Sequence, residues 1–251
     1  AMKLKKRHDD REVLMQQIDE RRHQKQREQE QTRLEGVKMK EQIEGARQEE
    51  LARLTTDFNN HVLDATRAWS LVLHDKAEME GTPESLRALC AEAAREKGHP
   101  EATPEAGPWA LGLDAPRLVP FLENAERRDL RERLYRAYLS RAGAGEFDNT
   151  PLIERILALR AEEADLLGYG SYAELSLSSK MAPGVAAVHD LLESLRGASF
   201  DAAHADLAEL QVFATRPGAG GPEELCHWDI AYWSERLREN RFAYSEEELR
   251  P

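Results

Sequence analysis

The sequence predicts an all-α protein, and three observations predict it. The β-branched residues on which strands draw are scarce, with 8 Val, 5 Ile and 8 Thr among 251 residues. Charged residues make up 33% of the chain, a proportion that suits long solvated helix faces. Helix punctuation also recurs along the chain. Thr82-Pro83 and Thr150-Pro151 open segments that Gly98 and Gly168 close, and Ser171 with Glu174 spells a capping box.

Two compositions meet near residue 50. Residues 1–50 hold eight of the nine Gln and six of the nine Lys, with no aromatic residue and no Pro, and are close to neutral, with 13 basic and 12 acidic side chains. Residues 51–251 hold all sixteen aromatics and are acidic, with 22 basic against 35 acidic side chains. The first segment, 1–50, reads as one long charged helix. Residues 19–33 have no aliphatic side chain, so neither a core-packed stripe nor a continuous heptad seam exists there. Gly36 and Gly45 each weaken it by about 1 kcal/mol relative to Ala, and pairs such as Glu30–Arg33 return a few tenths of a kcal/mol each.

The second segment, 51–251, reads as a helical domain. Leu51 to Ala77 is expected to be a helix carrying Phe58 and Trp69. The next runs from Thr82-Pro83 to Gly98, and a loop with Pro100, Pro104 and Pro108 follows. Asp114 to Asn124 is a short element, and 126–142 is a helix with Leu130, Leu134, Ala137 and Tyr138 on one face. A helix from Thr150 to Gly168 and a short one after Ser171 come next. Two further helices, 184–196 and 199–215, precede a flexible PGAGGP linker and a last helix from Trp228 to Asn240. Ser245 and Glu248 announce another. No strand and no internal repeat is expected.

Charge and apolar patterning exclude several functions. A net charge of −12 is wrong for nucleic acid, whose phosphates need a basic face. No apolar run reaches the length of a membrane span, and AMKLKKRHDD lacks the apolar stretch of a secretory signal, so no membrane partner is expected. Cys90 and Cys226 have no paired spacing, which suits a reducing compartment in the cytoplasm or an organelle.

The chemistry-bearing residues form no complete catalytic set. A zinc peptidase needs two His one helical turn apart beside a Glu, the HExxH pattern. The His residues, at 8, 23, 61, 74, 99, 189, 204 and 227, never show it. His189 and His204 fall on different expected helices, and His61 and His74 read as capping or surface groups. SLSSKM lacks the strand and glycine elbow of a serine nucleophile. GYGSY reads as a helix stop and restart, and adjacent Cys226-His227 make a poor dyad. Trp228, Tyr232 and Trp233 suit core and groove positions. No catalytic residue and no metal ligand is expected.

Five stretches then carry a resemblance. FNNHVLDATRAWSL, AEMEGTPESL, LENAERRDLRERLYRAYLSRA, DNTPLIERILALRAEEADLLGYGSYAELSLSSKMA and WDIAYWSERLRENRFAYSEEELRP resemble, in order, the zinc metallopeptidases of the thimet oligopeptidase and oligopeptidase A family. The resemblance implies a nearly all-helical clam-like fold with a deep channel that admits short peptides. It also implies that Asn59, Asn60, Asp64 and Thr66 hold helix-to-helix contacts. In that family the HExxH, the third zinc-ligand Glu and the transition-state Tyr and His lie beyond the matching stretch, so none maps onto a residue here. Cys226-His227 stands where a Pro usually precedes the Trp, and Trp233 replaces a second Tyr.

The expectation is therefore a non-catalytic helical portion of a metalloendopeptidase, without zinc of its own and acting on short peptides only when completed by a catalytic half. Separately, LMQQIDERRHQKQREQEQTRLEGVKMKEQIEGARQEE resembles trichohyalin/plectin-homology segments of cilia- and flagella-associated proteins. That resemblance implies a structural helix on a cytoskeletal filament such as a ciliary doublet microtubule, with Arg21, Arg22, Lys25 and Arg27 as the partner-binding candidates.

Overall fold

A computed structural model describes residues 2–242 of the chain, with side chains from Arg21 onward. The charged segment and the helix predicted after it are one helix, α1 (Met2–Ala68). Its residues divide between two compact units, 1–54 and 55–251. In the first unit, residues 21–43 are exposed throughout. The Glu30–Arg33 pair forms as expected, with Arg33 Nη2 2.8 Å from Glu30 Oε1, and Gln24 and Gln31 donate to Glu28 and Glu35 one turn on.

In the second unit α1 stops at Ala68, where a helix to Ala77 was expected. Leu71–Leu73 (β1) is extended and pairs antiparallel with Trp109–Leu111 (β2), in the register Leu71↔Leu111, Val72↔Ala110 and Leu73↔Trp109. The expectation of no strand is thus wrong. Its cause is physical: three residues are too few to show a period-two pattern. Burial decides the conformation, since Leu73, Trp109 and Leu111 lie in the core and tertiary packing overrides local propensity.

A one-turn 3-10 helix (Lys76–Met79) follows, capped by Asp75 with Glu78 reaching back. α2 (Glu84–Glu96) begins after Pro83. Thr82 does not cap it; its hydroxyl donates backward to the Met79 carbonyl at 2.5 Å. The proline-containing loop is held by Arg95 Nη1 on the Ala102 carbonyl at 2.8 Å and by Trp109 Nε1 on the Pro104 carbonyl at 3.2 Å. α3 (Ala115–Asn124) and α4 (Arg128–Ser140) complete this part. Leu71, Leu73, Met79, Leu86, Cys90, Trp109, Leu111, Phe121 and Leu134 form its core.

α5 (Thr150–Leu167) ends at Gly168, whose φ of 81° is the left-handed conformation that closes a helix without a Cβ clash. In α6 (Tyr172–Leu177), Ser171 Oγ accepts from Glu174 N, while Glu174 Oε2 accepts from Gly170 N rather than from the Ser171 amide. The two helices expected after residue 184 are one, α7 (Val185–Thr215). Gly197 costs it about 1 kcal/mol, too little to break a helix that has no Pro beside it. α8 (His227–Phe242) follows. The capping box of Ser245 and Glu248 lies outside the described residues. Apart from the two short strands, the described chain is helix and connection, and the all-α class stands.

Candidate functional site

The most organised polar site joins α4 to α8. Asp229 is fully buried and two arginines face it from α4. Arg128 Nε lies 3.0 Å from Asp229 Oδ1, and Arg128 Nη2 lies 2.8 Å from Oδ2. Arg131 Nη2 lies 3.0 Å from Oδ1. At the start of α8 the same carboxylate accepts the Cys226 amide at 3.0 Å, the return half of a capping box. Arg131 also donates to the Ala125 carbonyl at 2.6 Å and the Trp228 carbonyl at 3.2 Å.

These contacts set the charges. Burial alone would raise the Asp229 carboxyl, but Arg128, the Cys226 amide and Arg131 outweigh it and hold it below the usual carboxylate range. Burial lowers Arg131 despite the carboxylate beside it, whereas the hydrogen bond to Asp229 raises the more exposed Arg128. The aromatics close over the pair. Tyr232 lies 4.2 Å from the Arg131 guanidinium carbon, and Trp228 lies 5.7 Å from that of Arg128. Trp233 is core, packed with Leu210, Phe213 and Ala214 at the end of α7.

The expected flexible linker is instead tied down. Gly221 N donates to the Ala214 carbonyl, Gln211 Nε2 donates to the Glu223 carbonyl, and Gln211 Oε1 accepts from Leu225 N. A Cβ on Gly221 would stand 2.3 Å from the Ala214 carbonyl oxygen and 2.8 Å from Trp233 Cζ2, so this close approach requires glycine. The loop, Arg128, Tyr232 and Trp233 line a cleft of about 350 Å³.

Chemically, this arrangement is a latch. Both oxygens of Asp229 are engaged by donors, which leaves the carboxylate poorly placed to take a proton or a metal. The remaining titratable groups do not fit zinc either. His61 pairs with Asn149 at 2.9 Å, His204 with the Phe200 carbonyl at 3.0 Å, His227 stacks on Tyr135, and His74 and His99 meet edge to face. His189 and His204 share one helix rather than two, fifteen residues apart, which separates them by about 22 Å at 1.5 Å per residue. Among the described residues no three His, Cys, Asp or Glu gather as a metal site.

One other site differs from expectation. Asn59, Asn60 and Asp64 are exposed, and Thr66 donates to its own helix at Val62. The contact expected of them is made by His61, half-buried rather than a surface group, and by the Phe58 carbonyl, which accepts from Asn149 Nδ2 at 3.1 Å. Of the four candidate partner-binding residues, all exposed, Arg21, Arg22 and Lys25 share one face of α1. Arg27 lies on another, since each residue turns the helix by about 100°. Sequence reasoning missed Arg128, Arg131 and Asp229. Their signal was a charged side chain beside Leu130 and Leu134 on an inward helix face, and an Asp at the third position of α8.

With this geometry in place, the comparisons assign the class. Residues 121–251 match the model of peptidase family M3, and the chain belongs to that family. It is similar to the probable cytosolic oligopeptidase A of Arabidopsis thaliana, 50% identical over 204 residues, 81% of this chain and 29% of that protein. It is similar also to oligopeptidase A of Escherichia coli, 38% identical over 219 residues (85% and 31%), and to dipeptidyl carboxypeptidase of the same organism, 32% identical over 203 (80% and 29%). The chain therefore spans less than a third of the length of these relatives. No helix among the described residues is long and apolar enough to cross a membrane.

Proposed function

We propose that the helical unit, residues 55–251, is a non-catalytic portion of an oligopeptidase that cleaves short peptides, with the zinc-dependent step performed by residues that this chain does not carry. One observation carries the reading: the extended match to proteins named oligopeptidase A, at up to 50% identity. The latch supports it, because a fully engaged buried carboxylate fastens two helices and performs no acid–base work. The proposed location is the cytoplasm or an organelle interior, in line with relatives whose names place them in the cytosol and in chloroplast or mitochondrion.

A chimera tests this reading. The matched stretch of the Arabidopsis relative is replaced by the corresponding residues of this chain, and cleavage of short fluorogenic peptides is measured with zinc present. The chimera is expected to cleave and the 251-residue chain alone is not. A folded, inactive chimera would reject the proposal.

A second reading concerns α1. Arg21, Arg22 and Lys25 share one exposed face, a geometry that suits an acidic filament such as a ciliary microtubule. Pelleting of residues 1–251 with tubulin filaments at low salt, abolished by Arg21→Glu with Arg22→Glu, would favour it. Pelleting unchanged by those substitutions would reject it.

A further inference from the structure

The middle of α7 is unlike any other stretch of the second unit. Residues 189–209 are exposed on every side, yet they carry large apolar side chains: Leu191 is 60% exposed and Leu195 57%, with Leu192, Phe200 and Leu207 also open to solvent. Only below this stretch does α7 find a core, where Leu210, Phe213 and Ala214 meet Trp233. A single exposed leucine is ordinary, but a run of about six helical turns with this composition marks an interaction surface.

The spacing says what kind. Leu191, Leu195, Ala198, Ala202 and Ala205 succeed one another at intervals of four, three, four and three residues, which lines them along one face. The leucines supply the apolar contact, and the alanines let a second helix axis come close. The stretch has five carboxylates and one arginine. Among the described residues, Glu193 pairs with Arg196 and Glu209 with Arg241, while Asp190, Asp201 and Asp206 flank the apolar face without an ion pair. A second copy would lay acid against acid, so charge disfavours self-pairing.

We infer that residues 189–209 of α7 dock a helix with an apolar stripe flanked by basic residues. The helix that fits is one from the part of an oligopeptidase A-like polypeptide that this chain does not represent. The relatives supply the reason to choose that occupant: the 204 matched residues are 29% of the Arabidopsis protein, so most of its chain is available to cover this face. The inference rests on the proposed function, since it names the surface through which the helical portion joins the rest.

Leu191→Glu with Leu195→Glu tests it in two settings. In the 251-residue chain both side chains face water, so circular dichroism and Tm should not change, which also shows that the variant folds. In the chimera the same pair should cost soluble monomer in size-exclusion chromatography, or lower Tm by more than about 2 °C. A chimera insensitive to the substitutions would overturn the inference, as would an unsubstituted chimera that fails to fold. So would a dimer of the 251-residue chain, seen by sedimentation and abolished by the same substitutions, because the occupant would then be a second copy. A chimera that is destabilised by the pair but never cleaves peptide rejects the proposed function and leaves the surface standing. Cleavage with no sensitivity to the pair does the reverse.

Discussion

Residues 21–43 of α1 and residues 189–209 of α7 are both helical and both exposed along their whole length. Their composition separates them. The first opens with Arg21, Arg22, Lys25 and Arg27 and has no aliphatic side chain before Leu34. Water and neighbouring side chains satisfy it, as Arg33 on Glu30 and Gln24 on Glu28 show. The second sets leucines in water at a cost of about 1.5–3 kcal/mol for each that could be fully buried. Exposure alone therefore does not define a surface. A charged helix can remain solvated, whereas an apolar one is waiting for a partner.

The comparison can be broken first at α8, whose Trp233 packs against the end of α7. Asp229→Ala leaves Arg131 buried without its carboxylate, and the account expects a loss of about 3–5 kcal/mol. The helical signal of α7 and α8 should melt earlier while that of α1 residues 21–43 is unchanged. Thermal melts followed by hydrogen exchange would check this, and a loss below about 1 kcal/mol would show that the latch is not what holds α8 to α4.

The same carboxyl sets a pH dependence. Its folded-state value is depressed, so its contribution is complete above the unfolded value of about 3.9 and is lost as pH falls through the lower folded value. Wild type should therefore lose more Tm than Asp229→Asn between pH 5 and pH 3. Equal losses would remove Asp229 from the acid response.

A smaller effect concerns the glycines. A Cβ on Gly197 of α7, or on Gly36 of α1, meets nothing within 4 Å. Alanine at either should strengthen its own helix by about 1 kcal/mol, seen as slower local exchange. Destabilisation at Gly197 would mean that the stretch is already covered in the isolated protein.

Thiol chemistry sharpens the contrast between core and latch. Burial pushes the Cys90 thiol up to about 12, with Arg117 opposing and Asp114 adding. A thiol reagent at pH 8 should modify half-buried Cys226 first and Cys90 only on unfolding. Equal rates would show that the α2 core opens as readily as the start of α8.

How much of this could be read from the chain follows from what each signal measures. Helix existence was legible because Gly168, Pro151 and Ser171 act locally, and the apolar face of α4 because its period is long enough to see. The strands were not legible, since Leu71–Leu73 commits to extension only through pairing with Trp109–Leu111. The gap expected between 196 and 199 does not form, since a lone glycine inside a helix, here Gly197, is tolerated. The latch was hidden because it joins residues a hundred positions apart, and a charge beside Leu130 and Leu134 looks like any solvated residue until Asp229 arrives. Family membership was legible from ordered blocks, even where individual roles such as that of Asn59 were not.

Hydrogen exchange over residues 189–209, measured in the 251-residue chain and again in the chimera, tests the central claim most directly. In the isolated chain these amides should exchange far faster than those of the buried α2 face and as readily as residues 21–43. In the chimera they should slow by at least about tenfold, as a covered helix does. If they are already as slow in the isolated chain as the α2 core, or remain fast in the chimera, then α7 is not the surface that joins this helical portion to the rest of an oligopeptidase.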